Sequence, residues 1–206
     1  MDTGDKKKVR VDDTISFGDA LFAFSITIMT LSIQLPNIQT HTLTQSEIIS
    51  ELLEMRPQFE IYAISFFVIG LYWISYHIVF NHIVKSYSAI TWLNLLFLFF
   101  ITLISFATSL LITYGNYSFV FILYNVILIM TGTLLCLIWI NAVKLNHVDE
   151  TLNAAKIKNV LLETLVTPLV FALAIVVFFF SPDLAHYIWL LILPSKIIIR
   201  KKYPYK

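Results

Sequence analysis

Residues Ser16–Pro36 read SFGDALFAFSITIMTLSIQLP. As a helix rising 1.5 Å per residue the stretch is about 30 Å long, the thickness of a bilayer's hydrocarbon core. Yet it begins near a carboxylate, Asp19, and carries Ser25, Thr27, Thr30, Ser32 and Gln34 among its apolar residues. Polar groups at membrane depth are expensive and seek another helix or water, so what they face bears on both fold and function. The preceding KKKVR resembles the basic region of a signal peptide. The apolar run is longer than a typical signal core and has no A-x-A-like end, which predicts a retained first helix.

The rest of the chain has the same character. Of its 206 residues 58% are hydrophobic and 13% charged, with a formal net charge of +1. Charges gather in short islands between apolar runs of about 18 residues or more, the pattern of transmembrane helices. The near-zero net charge offers no bulk attraction for nucleic acid, and none is expected as a partner. The single cysteine, Cys136, excludes an intrachain disulfide and a cysteine-rich metal site; in its apolar run it reads as a small core residue.

The pattern predicts one all-α integral membrane domain over residues 1–206, with six spans at about 15–36, 58–80, 91–113, 118–143, 159–180 and 185–199. Pro36 closes the first and the Ser181-Pro182 turn the fifth. The TYGNYS segment at 113–118 makes a tight turn between the third and fourth. In the short sixth span, Tyr187 and Trp189 suit one interface while Lys196 and Arg200 snorkel at the other. Six spans put both termini on one side, and of the 14 Lys and Arg only Arg56 then falls on the opposite side. This positive-inside bias assigns both termini to the cytoplasm; an odd number of spans would scatter the charges. On the outer side, residues 42–58 alternate Ile48, Ile49, Leu52, Leu53 and Met55 with Glu47, Glu51 and Glu54, predicting a short amphipathic surface helix capped near Ser46.

At 100° per residue, Ser16, Ala20, Phe24, Thr27, Leu31 and Gln34 fall within about 80° of one another on the first helix. Helical geometry leaves two readings of this stripe: packing against a neighbouring helix, or lining of a wet pathway. Asp19 lies in the first turns, where the positive helix end favours a carboxylate, although Asp12 and Asp13 already occupy that end.

The segment FGDALFAFSITIMTL resembles the first-helix signature of the transmembrane protein 175 family of potassium-selective channels. YWISYHIVFNHI at 72–83, WLNLLFLFFITLISFATSLL at 92–111 and LVTPLVFALAIVVFFFSP at 165–182 are similar to its second, third and fifth helices. The chain departs from that signature at Gly18, where the family has serine, and at Asp13, where it has arginine; Arg10 lies three residues earlier. The resemblance implies a homotetrameric, leak-type potassium channel of the cell membrane, a multi-pass protein with only lipid and its own copies as partners. It implies a central pore lined by the first helix, with no carbonyl-built filter; indeed TYGN at 113–116 is not TVGYG. Phe24 then takes the place of the constricting aliphatic residue, Thr27 forms a hydroxyl ring one turn on, and Leu31 forms the next apolar ring. Ala20 and Gln34 extend the lining, and the potassium pathway runs past Phe24 and Thr27. A buried network of Asp19, Phe17, Trp73, His77 and Asn94 is implied between the first three helices.

The main alternative is a proton- or sodium-coupled secondary transporter using Asp19 or Glu163, with Pro168 kinking the fifth span, although no broken helix is evident. The spans show no repeat of the first three in the last three. An enzyme is not expected. His77 and His82 lack the i, i+4 spacing of a zinc helix, and neither a Gly-x-Ser-x-Gly turn nor a phosphate-binding glycine loop occurs. The permeant potassium ion is the one small ligand expected, and no cofactor.

Overall fold

In a computed structural model of the protein, the residues described are 10–35, 44–85 and 88–202, with the backbone alone at Lys202. Pro36, Lys6, Lys7, Lys8 and Lys206 lie outside them. The described residues are helical almost throughout: α1 is Val11–Met29, continued by a 3-10 turn over Thr30–Ser32, α2 is Gln45–Glu54 and α3 is Arg56–Phe80. There follow α4 (Ser88–Tyr114), α5 (Ser118–Lys144), α6 (Ala154–Phe178) and the short α7 (Pro182–Ala185). A 3-10 turn over Ile188–Leu191 and α8 (Ile192–Lys202) complete them. Five of these helices, α1 with its 3-10 turn, α3, α4, α5 and α6, are long and apolar enough to cross a membrane.

Two expected spans look different. The first ends early: Ile33 turns extended (φ −76°, ψ 112°), and the Gln34 amide donates to Gln58 Oε1 at 3.2 Å instead of continuing the helix. The last is a chain of short pieces rather than one helix over 185–199. Pro182 opens α7, the 3-10 turn follows, and Pro194, which has no N–H to donate, fits only near the start of α8. The amphipathic helix α2 is capped by Thr44, not Ser46. The Glu47 carboxylate reaches back to accept from the Thr44 amide at 2.7 Å and its hydroxyl at 2.8 Å. This holds the Glu47 carboxyl below its ordinary pKa.

α5 is the centre of the bundle, packed between α4 and α6, while α1 lies at the edge against α4 and α3. Only 28% of α1's most apolar stretch is buried, against 61% of α5's. Hydroxyl and amide side chains inside the helices satisfy themselves on the preceding turn: Thr108 donates to Ile104 O, Thr131 to Ile127 O and Asn125 to Phe121 O, each at 2.8 Å. That removes most of the cost of a polar group in an apolar bundle. α6 runs through Pro168 without a break; Gly132 on α5 leaves room for the proline ring, which a side chain would strike at 2.7 Å. Opposite these packing contacts, the loops after α3 and α5 pair as an antiparallel bridge between Ile83 and Val148. In it the Val84 amide donates to His147 O and the Asp149 amide to His82 O.

Candidate functional site

The two faces of α1 are sharply different. Thr14, Gly18, Phe22, Ser25, Met29 and, beyond the helix, Ser32 are buried, at the i, i+4, i+7 spacing of a single helical face. They are held to the bundle by polar contacts as well as packing: Ser105 Oγ on α4 donates to Ser25 O at 2.8 Å, and Tyr76 Oη on α3 donates to Thr14 O at 3.0 Å. Ser16, Ala20, Phe24, Thr27 and Leu31 all lie on the exposed face of the protomer, with Phe24 59% and Leu31 80% accessible. Gln34 is also exposed, but it lies past the last helical turn, so its place on the stripe does not follow from helical geometry.

Thr27 is arranged as a hydroxyl that offers oxygen. Its Oγ1 donates to Ala23 O at 2.8 Å, which uses the proton and leaves the lone pairs free. Thr30, at the end of the helix, is tied instead to Tyr62 Oη at 3.2 Å.

Because α1 starts at Val11 rather than near residue 15, Asp19 lies in its third turn, not its first, at the border of the two faces. Its Oδ1 accepts from Trp73 Nε1 and pairs with His77 Nε2, both at 2.8 Å. A carboxylate only accepts, so the hydrogen lies on Nε2 of His77. Trp73 and His77 are one turn apart on α3 and pack edge-on, with ring centroids 4.7 Å apart. The remaining expected members of this network do not join it. Phe17 is half-exposed, and Asn94 is buried with its amide against the Tyr76 hydroxyl. Arg10 precedes the first helical residue and pairs with Asp12 at 3.2 Å, so it does not reach Asp19.

The residue that sequence reasoning missed is Tyr76. It stacks parallel to Phe97 at 5.6 Å, touches Phe22 and Phe80, and presses its hydroxyl end on Gly18. A Cβ at position 18 would lie 2.6 Å from Tyr76 Oη and 2.8 Å from Cζ, inside any real contact. The signal in the sequence is Gly18 itself, a glycine inside an otherwise regular helix.

A second polar cluster lies away from α1. Glu163 on α6 is buried (2% accessible) and takes a hydrogen bond from Arg200 Nε at 3.0 Å, while the buried Lys196 donates to Ser75 Oγ on α3 at 2.6 Å.

An apolar five-helix bundle with a peripheral helix presenting a mixed stripe is the architecture of a polytopic membrane protein. Residues 14–104 match the family model of the endosomal/lysosomal potassium channel TMEM175. The chain is 30% identical over 99 residues to a potassium channel of Streptomyces collinus, covering 48% of this chain and 46% of that protein. A potassium channel of Chamaesiphon minutus is 30% identical over 100 residues, 48% of each. These matches span about half the length of the relatives. In fold, the chain is similar to the crystal structure of a lysosomal potassium-selective channel TMEM175 homolog from Chamaesiphon minutus. The TM-score is 0.77 at 21% identity, covering 92% of this chain and 97% of that one. It is also similar to a variant of the potassium channel MtTMEM175 solved with a nanobody fusion protein (TM-score 0.59, 18% identity, 95% and 93% covered).

Proposed function

We propose that the chain is a subunit of a homotetrameric potassium channel of the cell membrane, not an enzyme, and that α1 of each subunit lines the pore. The whole chain acts as one membrane domain with both termini cytoplasmic, and α7, the following 3-10 turn and α8 together serve as the sixth crossing. The observation that carries this reading is the division of α1. One face is fastened to α3 and α4, and the other presents Ala20, Phe24, Thr27 and Leu31 outward with the Thr27 oxygen free to accept. A helix facing lipid alone gains nothing from such an oxygen, whereas four of them around an axis replace part of a cation's hydration shell.

In the assembled pore Phe24 and Leu31 form apolar rings that gate by excluding water, with the Thr27 ring between them and Gln34 at the outer mouth. The Trp73–Asp19–His77 contacts set the rotation of α1 about its axis and thus which residues face the pathway. A coupled transporter fits less well: Glu163 is held by Arg200, Asp19 by Trp73 and His77, and α6 is unbroken at Pro168.

Reconstituted in liposomes under a potassium/sodium gradient, the native protein is expected to give unitary currents with a potassium-biased reversal potential. Thr27→Ala should move that potential toward zero, and Phe24→Ala should raise the current severalfold. Slow, saturable cation flux without unitary currents in any variant would replace the channel with a transporter.

A further inference from the structure

Between α3 and the broken sixth segment lies an open groove of about 450 Å³, distinct from α1's outward stripe. Its walls are apolar: Phe66, Phe67, Gly70 and Ile74 from α3, together with Trp73, whose indole N–H is bonded to Asp19, then Trp189 from the 3-10 turn and Leu193 from α8. Gly70 contributes the opening, for a Cβ built there meets nothing within 4 Å.

Charge lies beyond one end of the groove, further along α8. Next to Ile74, which lines the groove, Ser75 accepts from the buried Lys196, one turn beyond Leu193 on α8. A further turn on, Arg200 spends its Nε on the buried Glu163 and keeps its side chain 44% accessible. The bond anchors the guanidinium at Nε, and a guanidinium with free N–H groups takes a phosphate with two parallel hydrogen bonds. Lys201, exposed, follows it, and the exposed Ile197 and Ile198 precede it. Leu193 and Arg200 share a helix face about 10 Å apart along the axis. A greasy channel with an anchored cation beyond its end at that spacing has the shape and polarity of a phospholipid.

We propose that this groove is a binding site for an anionic phospholipid. One acyl chain lies between α3 and the sixth segment, and the headgroup phosphate is held by Arg200 with Lys201 beside it. The charge pattern selects this occupant over a second copy of the chain. An apolar helix of a neighbouring subunit would fill the walls but bring no anion to Lys201 or to the part of Arg200 that Glu163 leaves accessible. General physics agrees with the placement, since basic pockets between membrane helices on the cytoplasmic side take up phosphate headgroups. The inference goes beyond the channel reading and requires only that the bundle be in a membrane.

The test is native mass spectrometry of the delipidated, detergent-solubilised assembly, titrated with phosphatidylglycerol, with phosphatidylcholine of the same chains, and with glycerol phosphate alone. Phosphatidylglycerol should bind at least tenfold more tightly than phosphatidylcholine, and glycerol phosphate should not bind detectably. Gly70→Leu, which fills open space, should weaken phosphatidylglycerol tenfold without altering the oligomer. The variant Arg200→Gln, which leaves the buried Lys196 to balance the Glu163 carboxylate, should abolish the preference for the anionic lipid. Equal binding of the two lipids would overturn the proposal, as would binding of glycerol phosphate at the same affinity as the lipid. So would a Gly70→Leu variant that changes the oligomeric state and leaves lipid binding intact, which would make the groove a subunit contact. None of these readouts depends on current, so the channel reading stands or falls separately.

Discussion

At position 18 the absence of a side chain is what lets α1 and α3 meet. Tyr76 cannot yield, because Phe97 stacks on one side, Phe22 and Phe80 crowd it, and its hydroxyl is bound to Thr14 O. Gly18→Ser should therefore lower stability by about 1–3 kcal/mol, the ordinary penalty of overpacking, read as a reduced thermal midpoint in detergent. An unchanged midpoint would show that the ring has room to move. The family resemblance makes Gly18 a departure from a motif, but only the packing gives its reason, because an aromatic on an apolar helix carries no mark of which neighbour it will press. Trp73 and His77 were easier: at four-residue spacing beside a membrane carboxylate they have few other partners, and both reach Asp19. Phe17 on α1 and Asn94 on α4 do not reach Asp19, and residue type alone does not distinguish them.

Elements show a similar division. Five apolar helices could be read directly, because runs of this length in so uncharged a chain have no other stable use. Their ends could not. Thr44 and Ser46 both precede acidic residues, and the cap fell to the one whose Glu47 can reach back three positions. The sixth segment hid its break because Pro182 and Pro194 sit inside composition as apolar as any span. What holds that segment is charge. Glu163→Ala would leave the buried Lys196 and the half-exposed Arg200 without their shared carboxylate. Loss of one partner of a buried pair costs about 3–5 kcal/mol, less here for the solvent at Arg200. Chemical denaturation should show a loss of about 3 kcal/mol, and a loss below about 0.5 kcal/mol would assign α8's attachment to packing alone.

The loop clasp makes a pH-dependent prediction. Asp149 Oδ1 accepts from the Thr151 amide and hydroxyl, both at 2.8 Å, and these bonds hold its carboxyl below the ordinary aspartate range. A depressed folded pKa stabilises the fold above the unfolded value, near 3.9, and the contribution fades as pH falls through the folded pKa. Asp149→Asn should therefore be less stable than the native chain at pH 7, the gap closing in acid below about pH 4. A gap independent of pH would mean that the clasp does not use the charge.

For the molecule as a whole, the fold likeness covers nearly the entire chain, whereas the family model matches residues 14–104. Apart from the Glu163–Arg200 pair, the second half packs through long apolar helices and close contacts such as Gly132 on Pro168, which many sequences can supply. The first half carries the polar contacts that tie α1 to α3 and α4, which only particular residues can make. Those contacts have a consequence for biosynthesis. Asp19 emerges from the ribosome well before its partners, since Trp73 and His77 follow 54 and 58 residues later. At common rates of translation α1 waits roughly 3–10 s with an unanswered carboxylate, a group that costs about 2.5–3.5 kcal/mol at the centre of an inserting helix. Until α3 arrives, α1 is the least secure part of the chain in the translocon, and its final seating is a late event of assembly rather than the first.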